Sequence, residues 1–488
     1  MEISYSLLLI LLPLLSGVVT ATSPANVAKS VARLSSLITF GIFVLMLQGF
    51  VADASWQYTY ETPWIQDLGI SFKLGLDGIS LIPLLLTTLL VPIILNTIRL
   101  SDYGRPSVLL GLILMMQAGL ATVFLARSAF LFYLGWEAAL IPIFFISGMF
   151  GGELRQQVTL KFFIYTVAGS LLMLLALIYI FAHTTGPARD DFEVMAGVAR
   201  SFDGTVQCWL FWGLFAAFAI KMPLFPFHTW QPDAYAVSPA PGTMMLSGIM
   251  LKMGVYGVLR WLLPLVPLGV AENKELVLLL SVIGIVYGSI IAVKQSDIKR
   301  IVAYSSFAHV GLMSAAMFSL TLSGLTGTLI QMLSHGVTVV GLFFVVEHVE
   351  RSLGRREVGS LGGLTKDSAA FSIYFMVMLL GSVALPLTSG FVGEFMMLYG
   401  LSEYNLYLAL FAGATVIFSA VYMLRMFQTV LLGQKLDTDA SLRPLNLGEN
   451  IALVSLCVLV FWIGIYPSPF LQLVEPAVEK LLAQAVAQ

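Results

Sequence analysis

Residues 218–260 read FAIKMPLFPFHTWQPDAYAVSPAPGTMMLSGIMLKMGVYGVLR, and they place two lysines, Lys221 and Lys252, within apolar runs. A charged side chain at the centre of a membrane helix costs about 2.5–3.5 kcal/mol even on the mildest insertion scale, so it needs a partner or a water-filled cavity. Pro223 and Pro226 follow Lys221 closely. Proline breaks a helix, and the freed backbone is tolerated in a membrane only where it is buried in protein or lines a cavity. The stretch therefore predicts a membrane helix that breaks beside a buried ionisable group.

The composition of the whole chain indicates a membrane protein. Of its 488 residues, 58% are hydrophobic and 11% are charged, and the mean hydropathy is +0.92. Each membrane-spanning helix needs about 20 mainly apolar residues, so the chain has room for well over ten. We predict an all-α polytopic membrane protein with about 14 transmembrane helices.

Several other classes of protein are excluded by the same inventory. The net charge is −2 and there is no run of Lys and Arg interleaved with aromatic residues, so a nucleic-acid partner is not expected. Cys208 and Cys457 stand in apolar runs away from metal-ligand spacing and are predicted to face lipid or the core. The run from Ile3 to Thr20 resembles a signal peptide but lacks a basic start, and we interpret it as the first helix. No nucleotide loop, metal cluster or catalytic triad points to a stand-alone enzyme.

Charge-free windows separated by polar turns define the predicted spans, and prolines interrupt the seventh and the twelfth. The spans are predicted to begin at Ser4, Ser35, Leu76, Ser107, Ala129, Lys161, Val206, Pro241, Leu276, Ile301, Leu322, Ala369, Tyr407 and Asn450. Residues 471–488 are interpreted as a short amphipathic helix on the outer surface, with Leu471, Val474, Val478, Leu481 and Leu482 on one side.

The distribution of basic residues predicts the orientation. Sixteen of the 25 Lys and Arg residues fall in loops after odd-numbered spans and seven in the loops on the other side. Because positive residues are retained in cytoplasmic loops, both termini are expected to face outward. The two that remain are Lys221 and Lys252, each inside an apolar helix.

Six ionisable side chains are flanked by apolar residues on both sides, and they are the candidate functional residues: Glu137, Lys221, Lys252, His309, His335 and Glu394. Burial and a neighbouring carboxylate act on a lysine in opposite directions, so a Glu137–Lys221 pair could switch the lysine between holding and releasing a proton. Other interpretations stay open. The charges could only lock helices together, the histidines could be structural, and long side chains could reach the headgroups.

A second proline and glycine cluster resembles the first. Pro386 and Gly390 precede Glu394 in the twelfth span, five helices after Pro223 and Pro226. An odd offset means that the two broken helices cross the membrane in opposite directions, as inverted repeats require. We therefore predict four segments: an N-terminal three-helix segment, two inverted five-helix repeats, and a last helix with its tail, at residues 1–106, 107–262, 263–432 and 433–488.

The motifs WEAALIPIFFISGMFGG with Glu137, the stretch 218–260, DIKRIVAYSSFAHVGLM and ALPLTSGFVGEFMMLYG together resemble the antiporter-like proton-channel family. That family comprises membrane-arm subunits of respiratory complex I, NADH:quinone oxidoreductase, and relatives in multi-subunit sodium/proton antiporters. The resemblance covers about residues 70 to 430. It implies proton translocation through Lys221, Lys252, His335 and Glu394, with Glu137 modulating Lys221 and His309 as a further candidate. A glutamate in the second broken helix, where most members carry lysine, is typical of the subunit M (mitochondrial subunit 4) type.

The resemblance also implies the surroundings of the chain. It implies a bacterial inner-membrane subunit without a redox site of its own, beside other antiporter-like subunits in the bilayer, with NADH, flavin, iron–sulfur clusters and quinone in partner subunits. Three alternatives remain: a subunit of a cation/proton antiporter, a subunit of a membrane-bound proton-pumping hydrogenase, and a scaffold that does not pump.

Overall fold

The computed structural model describes residues 4–186, 188–435 and 441–486. Within them the chain forms eighteen helices and one antiparallel β-hairpin. In chain order they are α1 Tyr5–Thr22, α2 Ala25–Gln48, β1 Gln57–Ile65, β2 Ile70–Leu76, α3 Gly78–Thr97, α4 Pro106–Leu125, α5 Ala129–Phe150, α6 Arg155–His183, α7 Phe192–Arg200, α8 Gly204–Lys221, α9 Gln231–Val237, α10 Ala240–Leu265, α11 Pro267–Lys294, α12 Ile298–Phe318, α13 Leu322–Leu353, α14 Ala369–Ser382, α15 Ser389–Tyr404, α16 Leu406–Leu432, α17 Leu447–Ile465 and α18 Ser468–Val486.

The prediction of a polytopic helical membrane protein is confirmed. In the described part of the chain, 13 helices are long and apolar enough to cross a membrane. The twelfth predicted span is divided into two shorter helices, α14 and α15. Two boundaries were wrong: α2 begins at Ala25 instead of Ser35, and α11 at Pro267 instead of Leu276. Both helices continue through charged residues at their ends, because long side chains there extend toward water while the backbone stays helical.

The helices form an inner group and an outer group. α10 and α13 are completely buried along their most apolar 18 residues, and α3 and α12 are 94% buried, whereas α1, α2, α16 and α17 are only 33% buried. The outer helices expose Leu, Ile, Val and Phe side chains, which suit contact with lipid or with another membrane protein. A side chain on an inner helix is removed from lipid on every side, and this is where polar groups can be satisfied by the protein itself.

The β-hairpin was missed by the all-α prediction. β1 pairs with β2 in an antiparallel register that joins Gln57 to Leu76 and Ile65 to Ile70. The turn contains Gly69 at φ 65°, a conformation that glycine adopts without a steric penalty. Lys73 in β2 forms two ion pairs there: its ammonium lies 3.0 Å from the Glu61 carboxylate and 3.2 Å from that of Asp191. We call the face of the protein that carries this hairpin the hairpin side, and the other the opposite side.

The C-terminal helix α18 is confirmed as amphipathic. It buries Val474, Val478 and Leu481, while Leu471 and Leu482 are only half-buried. The Lys480 ammonium donates to the carbonyl of Ala54, just before the hairpin, at 3.3 Å. α18 therefore lies on the hairpin side, which is the side predicted to face outward.

Polar side chains fix where the inner helices begin. The carboxylates of Asp77, Asp203 and Asp297 accept hydrogen bonds from the first backbone N–H groups of α3, α8 and α12. Such caps satisfy donors that a helix cannot pair internally, and each contributes about 1 kcal/mol. The caps set the depth of every side chain farther along these helices, including the buried charges.

Candidate functional site

The first broken helix ends at its lysine. α8 runs from the hairpin side and stops at Lys221, and α9 resumes helical structure only at Gln231. Pro223 and Pro226 lie in the gap. The carbonyl of Ile220, which loses its helical partner there, accepts a hydrogen bond from the Trp230 indole nitrogen at 2.9 Å. The break is thus stabilised by the protein itself, and Lys221 stands at the negative end of the α8 dipole, where a cation is favoured.

Lys221 is buried without a partner. Its side chain is 2% exposed, and among the described residues neither its ammonium nor Oε1 of Glu137 has a hydrogen-bond partner. Glu137 and Lys221 form no ion pair within 4.0 Å in the described chain. The ammonium instead lies 5.4 Å from the centroid of the Trp136 ring, a cation–π distance. The two residues are neighbours, not a closed salt bridge.

The second broken helix approaches from the opposite side. α14 ends at Ser382 and α15 begins at Ser389. Between them Ala384 and Leu387 adopt positive φ angles of 55° and 72°, which strain a residue with a Cβ. Pro386 lies in this gap, whereas Gly390 lies in the first turn of α15, where a Cβ would collide with the carbonyl oxygen of Gly381. Glycine therefore allows the two half-helices to approach each other closely.

Lys252 and His335 are joined directly. The Lys252 ammonium donates to the carbonyl of Ser247 at 2.6 Å and lies 2.8 Å from Nδ1 of His335. Nε2 of the same imidazole lies 3.0 Å from the hydroxyl of Ser306. A charged lysine is a donor only, so His335 accepts at Nδ1 and carries its own proton at Nε2, toward Ser306. The three side chains form a continuous hydrogen-bonded path from α10 through α13 to α12.

His309 and Glu394 form the second contact, and both are almost fully buried. Nδ1 of His309 lies 2.7 Å from the carbonyl of Ser305, so it must donate. Nε2 lies 2.9 Å from Oε1 of Glu394. That contact needs one proton between the two groups, held either as imidazolium with carboxylate or as neutral imidazole with carboxylic acid. Oε2 of Glu394 has no hydrogen-bond partner among the described residues, and Oε1 is also 3.5 Å from the Gln331 amide.

A small polar cavity connects the two contacts. The rings of His309 and His335 face each other with centroids 5.9 Å apart. The cavity between α12, α13 and the end of α14 is lined by both histidines and by hydroxyl and amide side chains, namely Ser305, Ser306, Gln331, Ser334, Thr338 and Ser382. It reaches the break in the second discontinuous helix at Ser382. Polar walls of this kind hold water, which can bridge groups too far apart for a direct hydrogen bond.

The structure therefore separates the predicted residues into two groups. Lys252, His335, His309 and Glu394 line one path, whereas Glu137 and Lys221 lie beside the first break. The two groups meet where α10 crosses α8: at Gly254, two residues after Lys252, a Cβ would lie 2.7 Å from the backbone nitrogen of Met222. No cluster of three or more His, Cys, Asp or Glu side chains suitable for a metal occurs in residues 4–186, 188–435 and 441–486.

Sequence reasoning missed several buried polar groups. Arg260 and Lys299 were assigned to loops, but both are buried. The Arg260 guanidinium contacts both carboxylate oxygens of Asp77 at 2.5 Å, and the Lys299 ammonium donates to the carbonyl of Ser238 at 2.8 Å. The eight-residue spacing from Lys252 to Arg260 is a signal that could have found the arginine, since it is close to two helical turns and places both on one face.

The chain is similar in sequence to membrane subunits of known complexes. Residues 126–419 match the family described as NADH:quinone oxidoreductase/Mrp antiporter, transmembrane. NADH-quinone oxidoreductase subunit M of Rickettsia typhi is 37% identical over 456 residues, 93% of this chain and 91% of the relative. NADH-ubiquinone oxidoreductase chain 4 of Marchantia polymorpha is 34% identical over 482 residues, 97% of this chain and 96% of the relative.

A solved structure shows the same fold. A chain of respiratory complex I from Thermus thermophilus with bound NADH superposes with a TM-score of 0.90 at 28% sequence identity, covering 98% of this chain and 99% of that chain.

Proposed function

Because the chain belongs to the NADH:quinone oxidoreductase/Mrp antiporter transmembrane family, we propose that it is the subunit M type proton-translocating subunit of an NADH:quinone oxidoreductase. Relatives named subunit M and chain 4 align over more than nine-tenths of this chain. The single observation that carries the mechanism is the path of Lys252, His335, His309 and Glu394 through the inner helices.

Along the path, each group passes a proton to the group with which it shares a hydrogen bond. Lys252 gives a proton to Nδ1 of His335, and the imidazolium so formed gives up the proton on its other nitrogen, Nε2, toward Ser306 and the cavity. The His309–Glu394 contact already holds one proton, and Oε2 of Glu394 is free to take the second. Release of that second proton returns the contact to its starting state. Each step moves one proton, and the path is reset when Lys252 takes up a new proton and His335 returns from its Nδ1-protonated to its Nε2-protonated form.

Lys221 controls the loading of this path. An unpartnered ammonium in a buried site is costly, so burial favours the neutral amine until a nearby negative charge stabilises the charged form. Glu137 supplies that charge without contacting the lysine. A unit charge pair about 4 Å apart is worth about 4 kcal/mol at an effective dielectric of 20, enough to bias proton occupancy about a thousandfold. A small approach of Glu137 toward Lys221 therefore moves the lysine from releasing a proton to holding one.

The remaining parts of the proposal concern the surroundings. NADH, flavin, iron–sulfur clusters and quinone belong to partner subunits, and this chain couples to them through neighbouring antiporter-like subunits in a bacterial inner membrane. The hairpin side, with both termini, faces outward, as the excess of basic residues in the loops of the opposite side supports. Protons are taken from the cytoplasm near the first break and leave outward after Glu394.

We propose further that residues 107–262 and 263–432 are inverted repeats. Two features support this division. α8 approaches its break from the hairpin side, whereas α14 approaches from the opposite side. Each half also has an ionisable residue within its broken helix, Lys221 in the first and Glu394 in the second.

The test is proton pumping in membrane vesicles that contain the assembled complex. Glu137→Gln and Lys221→Ala should each abolish the pumping that depends on this subunit, while the complex still assembles. Lys294→Ala, which removes an exposed lysine from the end of α11, is the control and should pump normally. Normal pumping by either buried-site variant would reject the mechanism. Normal pumping in a variant that lacks all six buried charges would favour a scaffold instead.

A further inference from the structure

Two basic side chains near the start of α2 form no ion pair with an acidic residue in the described part of the chain. Lys29 and Arg33 are four residues apart, so they lie on one face of the helix, at its end on the opposite side. Lys29 donates to the carbonyl of Ile98 at 2.6 Å and uses one of its three N–H groups there. The Arg33 guanidinium makes no hydrogen bond among the described residues, and its Nε is buried from solvent. Buried donors of this kind are usually paired with the protein, with water or with a bound group.

The nearby carboxylate does not neutralise them. Glu449 is bound in a bidentate pair by Arg99, at 2.5 Å to Nε and 2.6 Å to Nη2. Glu449 also caps α17, accepting a hydrogen bond from the backbone of Asn446 at 2.8 Å. Its two oxygens are thereby committed. Among residues 4–186, 188–435 and 441–486, Lys29 and Arg33 remain as an excess of two positive charges at the junction of α2, α3 and α17.

A glycine lets α17 approach Arg33 closely at this junction. A Cβ on Gly448, in the first turn of α17, would lie 3.1 Å from Nη2 of Arg33 and 2.9 Å from the carbonyl oxygen of Asn96. The guanidinium therefore lies directly over the beginning of α17.

Apolar surface continues from the junction along the membrane. On α2 the side chains of Leu34, Leu37 and Leu45 are 54–62% exposed, and on α17 those of Ile451, Val454 and Val458 are 45–57% exposed. Both helices pack against α3. An occupant that matches this surface has a negative group at the level of Lys29 and Arg33 and long apolar chains below it.

We propose that Lys29 and Arg33 bind the phosphate of an anionic phospholipid, whose acyl chains lie on the exposed faces of α2 and α17. Charge complementarity selects the phosphate, and the apolar faces select a lipid over free phosphate. The site lies away from the path between Lys252 and Glu394, so it binds lipid whether or not that path carries protons.

Native mass spectrometry of the full chain in detergent, titrated with phosphatidylglycerol, tests the site. The chain should bind phosphatidylglycerol in preference to phosphatidylcholine. Arg33→Gln and Lys29→Gln should each weaken phosphatidylglycerol binding about tenfold, because each removes one charge-assisted hydrogen bond. Arg33→Lys keeps the charge and should lose less, and Lys294→Gln, on the same side of the protein, should lose nothing. Thermal unfolding of each variant verifies that it is folded.

Three outcomes would overturn the proposal. One is equal binding of phosphatidylglycerol by folded Arg33→Gln, Lys29→Gln and the unmodified chain. Another is equal binding of the two lipids by the unmodified chain. The third is displacement of phosphatidylglycerol by inorganic phosphate at the same concentration, which would identify an anion site without lipid specificity.

Discussion

The charged residues at the two broken helices differ in their hydrogen-bond partners. At the first break, the ammonium of Lys221 and Oε1 of Glu137 are buried without a hydrogen bond among the described residues. At the second, Glu394 contacts His309 at 2.9 Å, and Lys252 on the way to it has two partners. Unpartnered charges respond strongly to a nearby field, whereas hydrogen-bonded ones are positioned to pass a proton on. In the proposed mechanism, this difference assigns loading to the first break and conduction to the second.

The difference also explains the choice of residue at each break. Lys221 is the last residue of α8, where the negative end of the helix dipole favours a cation. Glu394 lies in the second turn of α15, beyond most of the dipole's influence, and depends on His309 for its proton. A lysine at position 394 could donate to Nε2 of His309 only while that imidazole is neutral, whereas a glutamate contacts it in both protonation states.

Lys252→Met should strongly impair transport. It removes the donor that connects Ser247, His335 and the cavity, and proton relays of this kind contribute at least about a hundredfold to rate. Proton pumping through this subunit should therefore fall by about that factor, measured in membrane vesicles as proton uptake per NADH oxidised. Lys294→Met, at an exposed position, is the matched control. Normal pumping by the Lys252→Met complex would show that protons do not pass through Lys252.

His309→Ala should have the largest effect on stability. It leaves the Glu394 carboxyl group buried with only the distant Gln331 amide, and breaking a buried pair costs about 3–5 kcal/mol. Thermal unfolding should detect the loss, and the double variant His309→Ala/Glu394→Ala should recover much of it. His183→Ala, an exposed histidine, should change little. An additive double variant would mean that the two side chains do not interact.

Ser306→Ala should have a moderate effect. It removes the hydroxyl that faces Nε2 of His335 at 3.0 Å and should slow pumping about fivefold, since one hydrogen bond is worth about 1 kcal/mol. Ser314→Ala is a demanding control because Ser314 lies on the same helix, is also buried, and bonds only to Ser281 at 2.9 Å, outside the cavity. Equal rates in the two variants would exclude Ser306 from the path.

Lys221→Met should have the smallest effect on stability, in contrast to Lys252→Met. Replacing an unpartnered buried ammonium by an apolar side chain of similar volume should leave the free energy of unfolding unchanged or raise it by about 1 kcal/mol. Lys252→Met should instead lower it by about 1–3 kcal/mol, because His335 and Ser247 lose a partner. Equal destabilisation by the two variants, measured by thermal unfolding, would show that the two lysines have equivalent surroundings.

Most of the helical fold could be predicted from the sequence, for a physical reason. A bilayer sets the length of a helix and forbids charge within it, so each span is a local signal that hydropathy reveals. The β-hairpin at residues 57–76 lies outside the membrane, where that rule does not apply, and it was missed. The beginnings of α2 and α11 were missed because charged residues follow in the second and third turns, Lys29 and Arg33 in α2 and Glu272, Lys274 and Glu275 in α11.

The members of the site could be predicted, but not their partners. Lys252 and Glu394 are conspicuous because each is a charge in an apolar run. That Lys252 meets His335, or that Glu394 meets His309, depends on the packing of helices separated by up to 85 residues in the chain. The predicted Glu137–Lys221 pair shows the limit: the residues are neighbours, but the exact separation of two charges is a tertiary property.

In the proposed mechanism, protons pass through Glu394. Its most direct test is the number of protons pumped per NADH oxidised by the complex carrying Glu394→Gln, an isosteric change that removes the acidic proton. With the complex fully assembled, the account predicts that the contribution of this subunit is lost and the ratio falls. An unchanged ratio at a normal rate of NADH oxidation would contradict it.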